Sequence, residues 1–96
     1  MINPKTLPNP VFEIGQIVMT KNVLHAVAIK HLNRGLLRHI AGDWGDICLI
    51  DADANELALV AGSRLISVYH DNNGVEFRVV TEADRNTTTV LLPTDY

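Results

Sequence analysis

Residues 65–91, LISVYHDNNGVEFRVVTEADRNTTTVL, decide the fold of this 96-residue chain. Three runs within it are rich in β-branched and aromatic residues, which favour strands. Residues 71–74 between the first two runs predict a hairpin turn, because the Asn-Gly pair tolerates positive φ. Residues 82–86 connect the second run to the third, and Pro93 ends it because proline cannot donate a strand hydrogen bond. The stretch therefore predicts a three-stranded antiparallel meander over 65–69, 75–81 and 87–92.

Helical periodicity precedes the meander. Residues 51–61 repeat apolar side chains at helical spacing and stop at Gly62, a residue typical of helix ends. The apolar stripe of this helix would include Ala54, Leu57, Ala58 and Ala61. Residues 20–32 and 36–40 predict two more helices, separated by Asn33 and Gly35.

The first twenty residues are less regular. Three of the four prolines fall within residues 1–10, so we expect an extended arm there. Residues 15–20 predict a short strand. The fold class is therefore α+β: a short N-terminal strand, two to three helices, and the meander packed on the helices. Residues 11–96 would form a single domain.

The faces of the predicted sheet follow from strand alternation. Ile66 and Val68 fit a face turned toward the helices, as do Val90 and Leu92 in the last strand. The other face would carry Ser67, Tyr69, Arg78 and Thr89. A face rich in hydroxyl groups is commonly only solvated, but it is also where a small α+β domain would place a site.

Composition excludes several classes of protein. The net charge of −3 argues against a broad electrostatic footprint for nucleic acid, although Lys30, Arg34 and Arg38 would form one basic stripe on a helix. We find no secretory signal and no apolar run long enough to span a membrane. The single cysteine, Cys48, excludes an internal disulfide and suits a reducing compartment, so we expect a cytoplasmic protein.

Residues 38–46, RHIAGDWGD, form the first candidate site. His39 has a pKa near neutrality and would serve as a general acid or base. Asp43 and Trp44 would then belong to a binding surface. The alternative is structural, because a buried tryptophan can need such a turn to place its ring and satisfy its indole N–H group.

Residues 81–89, TEADRNTTT, form the second candidate site. Arg85 would either pair with Glu82 or Asp84 in a polar turn, or bind an anionic group with Thr88 and Thr89 as additional donors. The histidines and Cys48 show no recognised zinc spacing, and no glycine-rich phosphate loop is present. We therefore expect neither a metal nor a cofactor.

The segments RHIAGDWGDI (38–47), DADANELALVAGSRLISVY (51–69) and VVTEADRNTTTVLLPTDY (79–96) resemble a family of small bacterial proteins carried on plasmids, prophages and other mobile elements. Some members are labelled as a type I restriction subunit. The resemblance runs from about residue 36 to Tyr96. It departs from the family pattern at the pair Phe77-Arg78, where an aromatic followed by an apolar residue is usual, and at Asn86, where serine is usual. The matched positions are His39, Gly42, Asp43, Trp44, Gly45, Asn55, Gly62, Arg64, Ser67, Tyr69, Thr81, Glu82, Asp84, Arg85, Thr88 and Thr89.

The resemblance implies a mobile-element setting and no particular reaction. A second, architectural resemblance is to compact metal-independent RNases of the toxin type, in which a base removes the ribose 2′-hydroxyl proton and cations stabilise the transition state. In that reading the catalytic residues would be His39, Arg85 and Tyr69, with Arg64 and Thr89 assisting.

Three hypotheses follow. The leading one is a non-enzymatic interaction or regulatory module that binds another protein, with self-association through an open strand edge as a further mode. The second is an RNase-like enzyme that uses His39 and Arg85. The third is a nucleic-acid-binding module built on the basic stripe. None of them places the chain in a membrane.

Overall fold

Helices and strands follow one another in the order that the sequence predicts. A computed structural model describes residues 10–95, so the predicted arm lies outside the described residues except for Pro10. The elements are β1 (Gln16–Met19), α1 (Lys21–Ala26), α2 (Ile29–Ile40), α3 (Leu49–Ala61), β2 (Leu65–His70), β3 (Glu76–Thr81), β4 (Thr87–Leu91) and a short 3-10 turn (Pro93–Asp95).

The sheet has four strands in the order β1-β4-β3-β2. Strands β2, β3 and β4 form the predicted antiparallel meander. β1 adds to it in parallel with β4, so the sheet is mixed and the prediction of a purely antiparallel three-stranded sheet was incomplete. Gly15 permits this pairing: it has a φ of +62°, and a Cβ atom there would clash with the Asn86 carbonyl group.

Two of the predicted helices have different boundaries. The helix expected over 20–32 is broken at Val27 and Ala28, which have extended backbone conformations. Gly35, expected to separate two helices, lies inside the 12-residue α2. The ring of Phe77 occupies the space that a side chain at Gly35 would need, with ring atom Cε2 2.7 Å from an ideal Cβ position. This glycine therefore serves close packing and does not end the helix.

The helices α1 and α2 cover one face of the sheet. Leu32 and Leu36 of α2 pack in the same buried cluster as Tyr69 and Phe77. The predicted facing of β2 was wrong: Ser67 and Tyr69 point toward the helices and are buried, whereas Ile66 and Val68 are half-buried. The strand register explains this, because Ser67 pairs with Val79 and Tyr69 with Phe77, and paired residues share a face.

The free edge of β2 is covered by side-chain and loop groups. The Asn55 side chain accepts a hydrogen bond from the Ile66 amide (3.2 Å) and donates one to the Ile66 carbonyl (2.8 Å). Val68 donates to the Trp44 carbonyl (3.2 Å) and accepts from the Asp46 amide (2.7 Å). The backbone groups of Ile66 and Val68 on this edge are therefore satisfied, and β2 is closed to a further strand.

Candidate functional site

A buried hydrogen-bond network lies between α2 and the sheet. The His39 side chain is 0% exposed. Its Nδ1 atom lies 2.5 Å from the Ser67 hydroxyl oxygen, and its Nε2 atom lies 2.9 Å from the Thr81 hydroxyl oxygen. Thr81 in turn lies 2.7 Å from the Thr88 hydroxyl oxygen. One histidine of α2 is thus joined to β2, β3 and, through Thr81, β4.

The direction of the hydrogen bonds in this network follows from its last member. The Thr88 hydroxyl donates to the Ile14 carbonyl at 2.7 Å, so it accepts from Thr81. Thr81 has then used its proton and accepts from the Nε2–H group of His39. The Nδ1 atom of a neutral His39 carries no proton and accepts from Ser67. All four side chains are satisfied by this single arrangement.

Burial keeps His39 neutral. Desolvation, with a smaller contribution from the positive charge of Arg85, lowers the pKa of His39 from 6.5 to about 4. The rings of Phe12 and Trp44 flank the imidazole, with centroids at 5.2 and 5.7 Å. Both ring nitrogens are occupied and no surface of the ring reaches solvent, so the geometry favours a structural role over acid–base chemistry on an external substrate.

Arg85 stabilises the end of α3. Its guanidinium group donates to the carbonyl oxygens of Ser63 (2.7 Å), Glu82 (3.1 Å) and Ala58 (3.1 Å). A cation at a helix C-terminus complements the helix dipole and the unpaired carbonyl groups there. The predicted ion pair of Arg85 with the Glu82 or Asp84 carboxylate is not among the observed contacts. Arg85 does contact Glu82, but through the backbone carbonyl of Glu82 and not through its carboxylate.

His39 is fully buried, so it faces no cleft that a substrate could share with Arg85. Phe12 contacts both residues: its ring centroid lies 5.8 Å from the Arg85 guanidinium carbon and 5.2 Å from the imidazole centroid. Tyr69, the third predicted catalytic residue, is buried, and its hydroxyl donates to the Asp43 carbonyl at 2.5 Å. Burial raises the pKa of Tyr69. The three side chains serve three different structural contacts.

The turn after α2 places the Trp44 ring in the core and satisfies its indole N–H group, as the structural alternative for residues 38–46 predicts. Asp43 accepts two hydrogen bonds from Arg38 (2.8 and 3.2 Å) and one from the Gly45 amide (3.1 Å). Trp44 is buried, and its indole N–H donates to Glu56 at 3.1 Å. Asp43 therefore shapes the turn, and Trp44 fixes the turn to α3.

The remaining predicted binding residues are dispersed. Arg64 forms an exposed ion pair with Glu82 at 3.2 Å. The Asp84 carboxylate accepts from the Asn86 amide at 2.9 Å within its own turn. Thr89 pairs with Val80, on the sheet face opposite to the buried Thr88. These contacts do not converge on one site.

The basic stripe of α2 is only partly available for a partner. Arg38 is held by Asp43, while Lys30 and Arg34 are exposed. Within residues 10–95, no group of three or more histidine, cysteine or acidic residues could hold a metal ion. Over the same range, no helix has the length and apolar character needed to cross a membrane.

The sequence reasoning missed an apolar surface on α3. Its buried side carries Asn55 and Ala58. Among the residues of the expected stripe, only Ala58 is buried. The opposite side, which we name the outer α3 face, exposes large aliphatic side chains around Asp53. They are Leu49 (77% exposed), Ile50 (80%), Leu57 (71%) and Val60 (90%).

A sequence signal for this face existed. Aliphatic residues of 49–61 occur around the whole helix, a pattern typical of a helix that is covered on all sides. In this fold α3 lies at the edge of the sheet against β2 and is covered on one side only. α3 also begins at Leu49, two residues before the predicted start, and this first turn supplies two of the four exposed side chains.

A groove of about 490 Å³ lies between α3 and the sheet face that α1 and α2 leave open. The α3 residues that line it include Asn55 and Ala58, and no residue of the outer α3 face is among them. The sheet side of the groove includes Ile66 and Val68.

No protein-family model, curated protein or solved structure matches this chain. The resemblance to mobile-element proteins therefore stays a prediction from the motifs. Function has to be argued from the contacts and exposed surfaces of the chain itself.

Proposed function

We propose that this chain is a non-enzymatic interaction module of a mobile genetic element, and that it binds another protein through the outer α3 face. One observation carries the proposal: four large aliphatic side chains on one side of a 13-residue helix are each at least 71% exposed. Clustered exposed apolar side chains are typical of binding surfaces. The mobile-element setting rests on the motif resemblance alone.

The energetics support a contact of moderate strength. Burying a valine, leucine or isoleucine side chain contributes about 1.5–3 kcal/mol, so the four together contribute about 6–12 kcal/mol. Association costs about 4–15 kcal/mol in lost translational and rotational freedom, and ordering of side chains adds to this cost. The gain and the cost are of the same size, so burial of these four side chains suits a reversible complex and not a permanent one.

The positions of the predicted catalytic groups also support this proposal over an enzyme. His39 is buried and neutral, and the Arg85 guanidinium is bonded to three carbonyl groups. A phosphodiester substrate needs a base and a cation that it can reach. The nucleic-acid hypothesis has the exposed Lys30 and Arg34 in its favour, but two cations on a chain with a net charge of −3 give only a local basic patch.

A comparison of three immobilised proteins tests the proposal. They are the wild type, a Leu57→Asp/Val60→Asp variant of the outer α3 face, and a Leu24→Asp/Ile29→Asp control that adds the same charge at exposed aliphatic positions of α1 and α2. Each is incubated with extract of cells that carry the gene, after unfolding curves have confirmed that all three are folded.

We expect at least one protein to be retained by the wild type and the control and lost by the α3 variant. A photo-crosslinking residue at position 57 should then form a covalent adduct with the same protein. The proposal is overturned if the three proteins retain identical sets, or if the crosslinker at position 57 captures nothing that the wild type retains.

A further inference from the structure

We propose that the partner presents a basic amphipathic helix to the outer α3 face. This inference rests on the proposed function and adds the shape and charge of what binds there. The observations that carry it are the charge distribution of α3, the straight run of its exposed aliphatic side chains, and the closed edge of β2.

All charged residues of α3 are acidic. The helix carries Asp51, Asp53 and Glu56 and no lysine, arginine or histidine. Asp53 lies within the outer α3 face itself, one turn before Leu57, so any partner that covers the aliphatic side chains also covers its carboxylate. Among the described residues, Asp53 makes no ion pair. A lysine or arginine of the partner would satisfy this carboxylate in the interface.

The exposed side chains set the shape of the partner. Ile50, Asp53, Leu57 and Val60 are spaced by three and four residues, so they form a nearly straight row along the helix. With a rise of 1.5 Å per residue, the row is about 15 Å long, which corresponds to about three turns of a second helix. A partner helix with apolar residues at the same spacing would interdigitate with it.

An extended peptide does not fit equally well. Strand addition requires free backbone N–H and C=O groups at a sheet edge. The edge nearest to α3 is that of β2, where Asn55 and residues 44–46 already satisfy Ile66 and Val68. A peptide that meets α3 must therefore bind by its side chains, which favours a helix.

A second copy of this chain is a poorer occupant. If two α3 helices packed against each other, each Asp53 would enter an interface to which neither helix contributes a cation. A carboxylate buried without a partner opposes association. The same acidic residues disfavour an anionic membrane surface, which requires basic residues on the bound helix.

Three synthetic helical peptides test the inference. Each has leucines at positions i, i+3, i+7 and i+10, and the flanking positions are lysine, glutamine or glutamate. Calorimetric titration of the full chain at 20 and 300 mM salt gives each Kd, and amide shifts of labelled protein locate the binding. The variants are Asp53→Asn, which keeps the shape and removes the charge, and Leu57→Asp.

We expect the lysine peptide to bind about tenfold more tightly than the glutamate peptide at low salt, with the preference reduced at high salt. Asp53→Asn should lower the preference at least threefold, and Leu57→Asp should abolish binding of all three peptides. The largest shift changes should fall on α3.

Other outcomes overturn the inference in distinguishable ways. Equal affinities for the three peptides would remove the basic partner but leave the outer α3 face as a docking surface. A concentration-dependent dimer that Leu57→Asp dissociates, measured by sedimentation, would replace the partner helix with a second copy. Absence of peptide binding would reject the basic helix, while the extract experiment would still decide whether the face binds a protein at all.

Discussion

The Nδ1 atom of His39 lies 2.5 Å from the hydroxyl oxygen of Ser67, and neither side chain is exposed to solvent. This contact joins α2 to β2 at the centre of the covered face. Ser67 donates to Nδ1, and this contact orients the imidazole for its second hydrogen bond to Thr81. The side chain predicted to act as a general acid or base thus connects a helix to the sheet.

Substitution of His39 should therefore cost stability. His39→Leu removes both hydrogen bonds: the buried Ser67 hydroxyl loses the imidazole acceptor, and Thr81 keeps only its hydrogen bond to Thr88. A buried polar group that loses its partner costs about 1–3 kcal/mol, and each lost hydrogen bond about 1 kcal/mol. We expect the free energy of unfolding, measured in urea, to fall by about 2–5 kcal/mol. The triple variant His39→Leu/Ser67→Ala/Thr81→Val should recover much of this loss, since it removes the unsatisfied groups. Equal stability of the wild type and His39→Leu would contradict the network.

The neutral state of His39 predicts a pH dependence of stability. The folded protein binds a proton at His39 only below about pH 4, whereas the unfolded chain binds it below about pH 6.5. Between these values the unfolded state holds more protons, so stability is complete above pH 6.5 and is lost as the pH falls toward 4. The difference between the two pKa values corresponds to about 3 kcal/mol of folding stability at neutral pH.

Unfolding curves at pH 7.5, 6, 5 and 4.5 measure this dependence. The His39→Gln variant lacks the imidazole and is the control, because the two proteins are otherwise identical. The wild type should lose more stability than the control over this interval. Parallel curves for the two proteins would show that His39 is not desolvated in the folded state.

Local sequence patterns predicted the three strands of the meander. They did not predict the contacts between distant residues that add β1 to the sheet and set which face of β2 is buried. The hairpin at residues 71–74 and the strands around it depend on local chemistry, and the structure has them. The parallel pairing of β1 with β4 joins residues about 70 positions apart, and no periodicity within either strand reports it. The register that turns Ser67 inward likewise depends on Phe77 and Val79, not on β2 alone.

The same limit applies to the candidate site. His39 and Arg85 belong to polar segments whose composition suits either a reaction or a tight turn, and composition cannot distinguish the two. Burial distinguishes them, and burial depends on the whole fold. The sequence indicates that aliphatic residues surround α3, so an exposed apolar surface could have been predicted. Which of these residues stay exposed depends on the position of α3 at the sheet edge.

Gly35 should not tolerate a side chain. In an exposed helix, glycine to alanine gains up to about 1 kcal/mol of helix propensity. At this position an added Cβ would lie 2.7 Å from a Phe77 ring atom and 3.0 Å from a Tyr69 ring atom. Both rings are buried and cannot move freely, so we expect Gly35→Ala to lower the free energy of unfolding by about 1–3 kcal/mol. A more stable variant in thermal unfolding would show that α2 can move away from β3.

Arg85 combines a stabilising side chain with an unfavourable backbone conformation. Its φ is +63°, where residues other than glycine lose about 1–2 kcal/mol. Arg85→Ala loses the guanidinium hydrogen bonds to the carbonyl groups of Ala58, Ser63 and Glu82 and keeps the backbone strain, so it should destabilise the protein by about 2–3 kcal/mol. Arg85→Gly loses the same contacts but relieves the strain, and we expect it to be about 1 kcal/mol more stable than Arg85→Ala. Chemical unfolding of the three proteins measures both differences.

Asn55 should determine whether the β2 edge stays closed. Its amide group accepts from and donates to the backbone of Ile66, so Asn55→Ala exposes one N–H and one C=O group on an edge strand. We expect a loss of about 1–3 kcal/mol in unfolding free energy. We also expect faster aggregation at high protein concentration, because unpaired edge groups recruit other strands.

Asp53→Ala is the matched control for Asn55→Ala, since it alters the exposed side of the same helix and no hydrogen bond of the β2 edge. Light scattering during incubation at 37 °C should rise for Asn55→Ala and remain at the wild-type level for Asp53→Ala. Asn55→Asp separates the two hydrogen bonds, because a carboxylate still accepts from the Ile66 amide but cannot donate to its carbonyl. If Asn55→Ala scatters no more than the control, residues 44–46 alone are sufficient to close the edge.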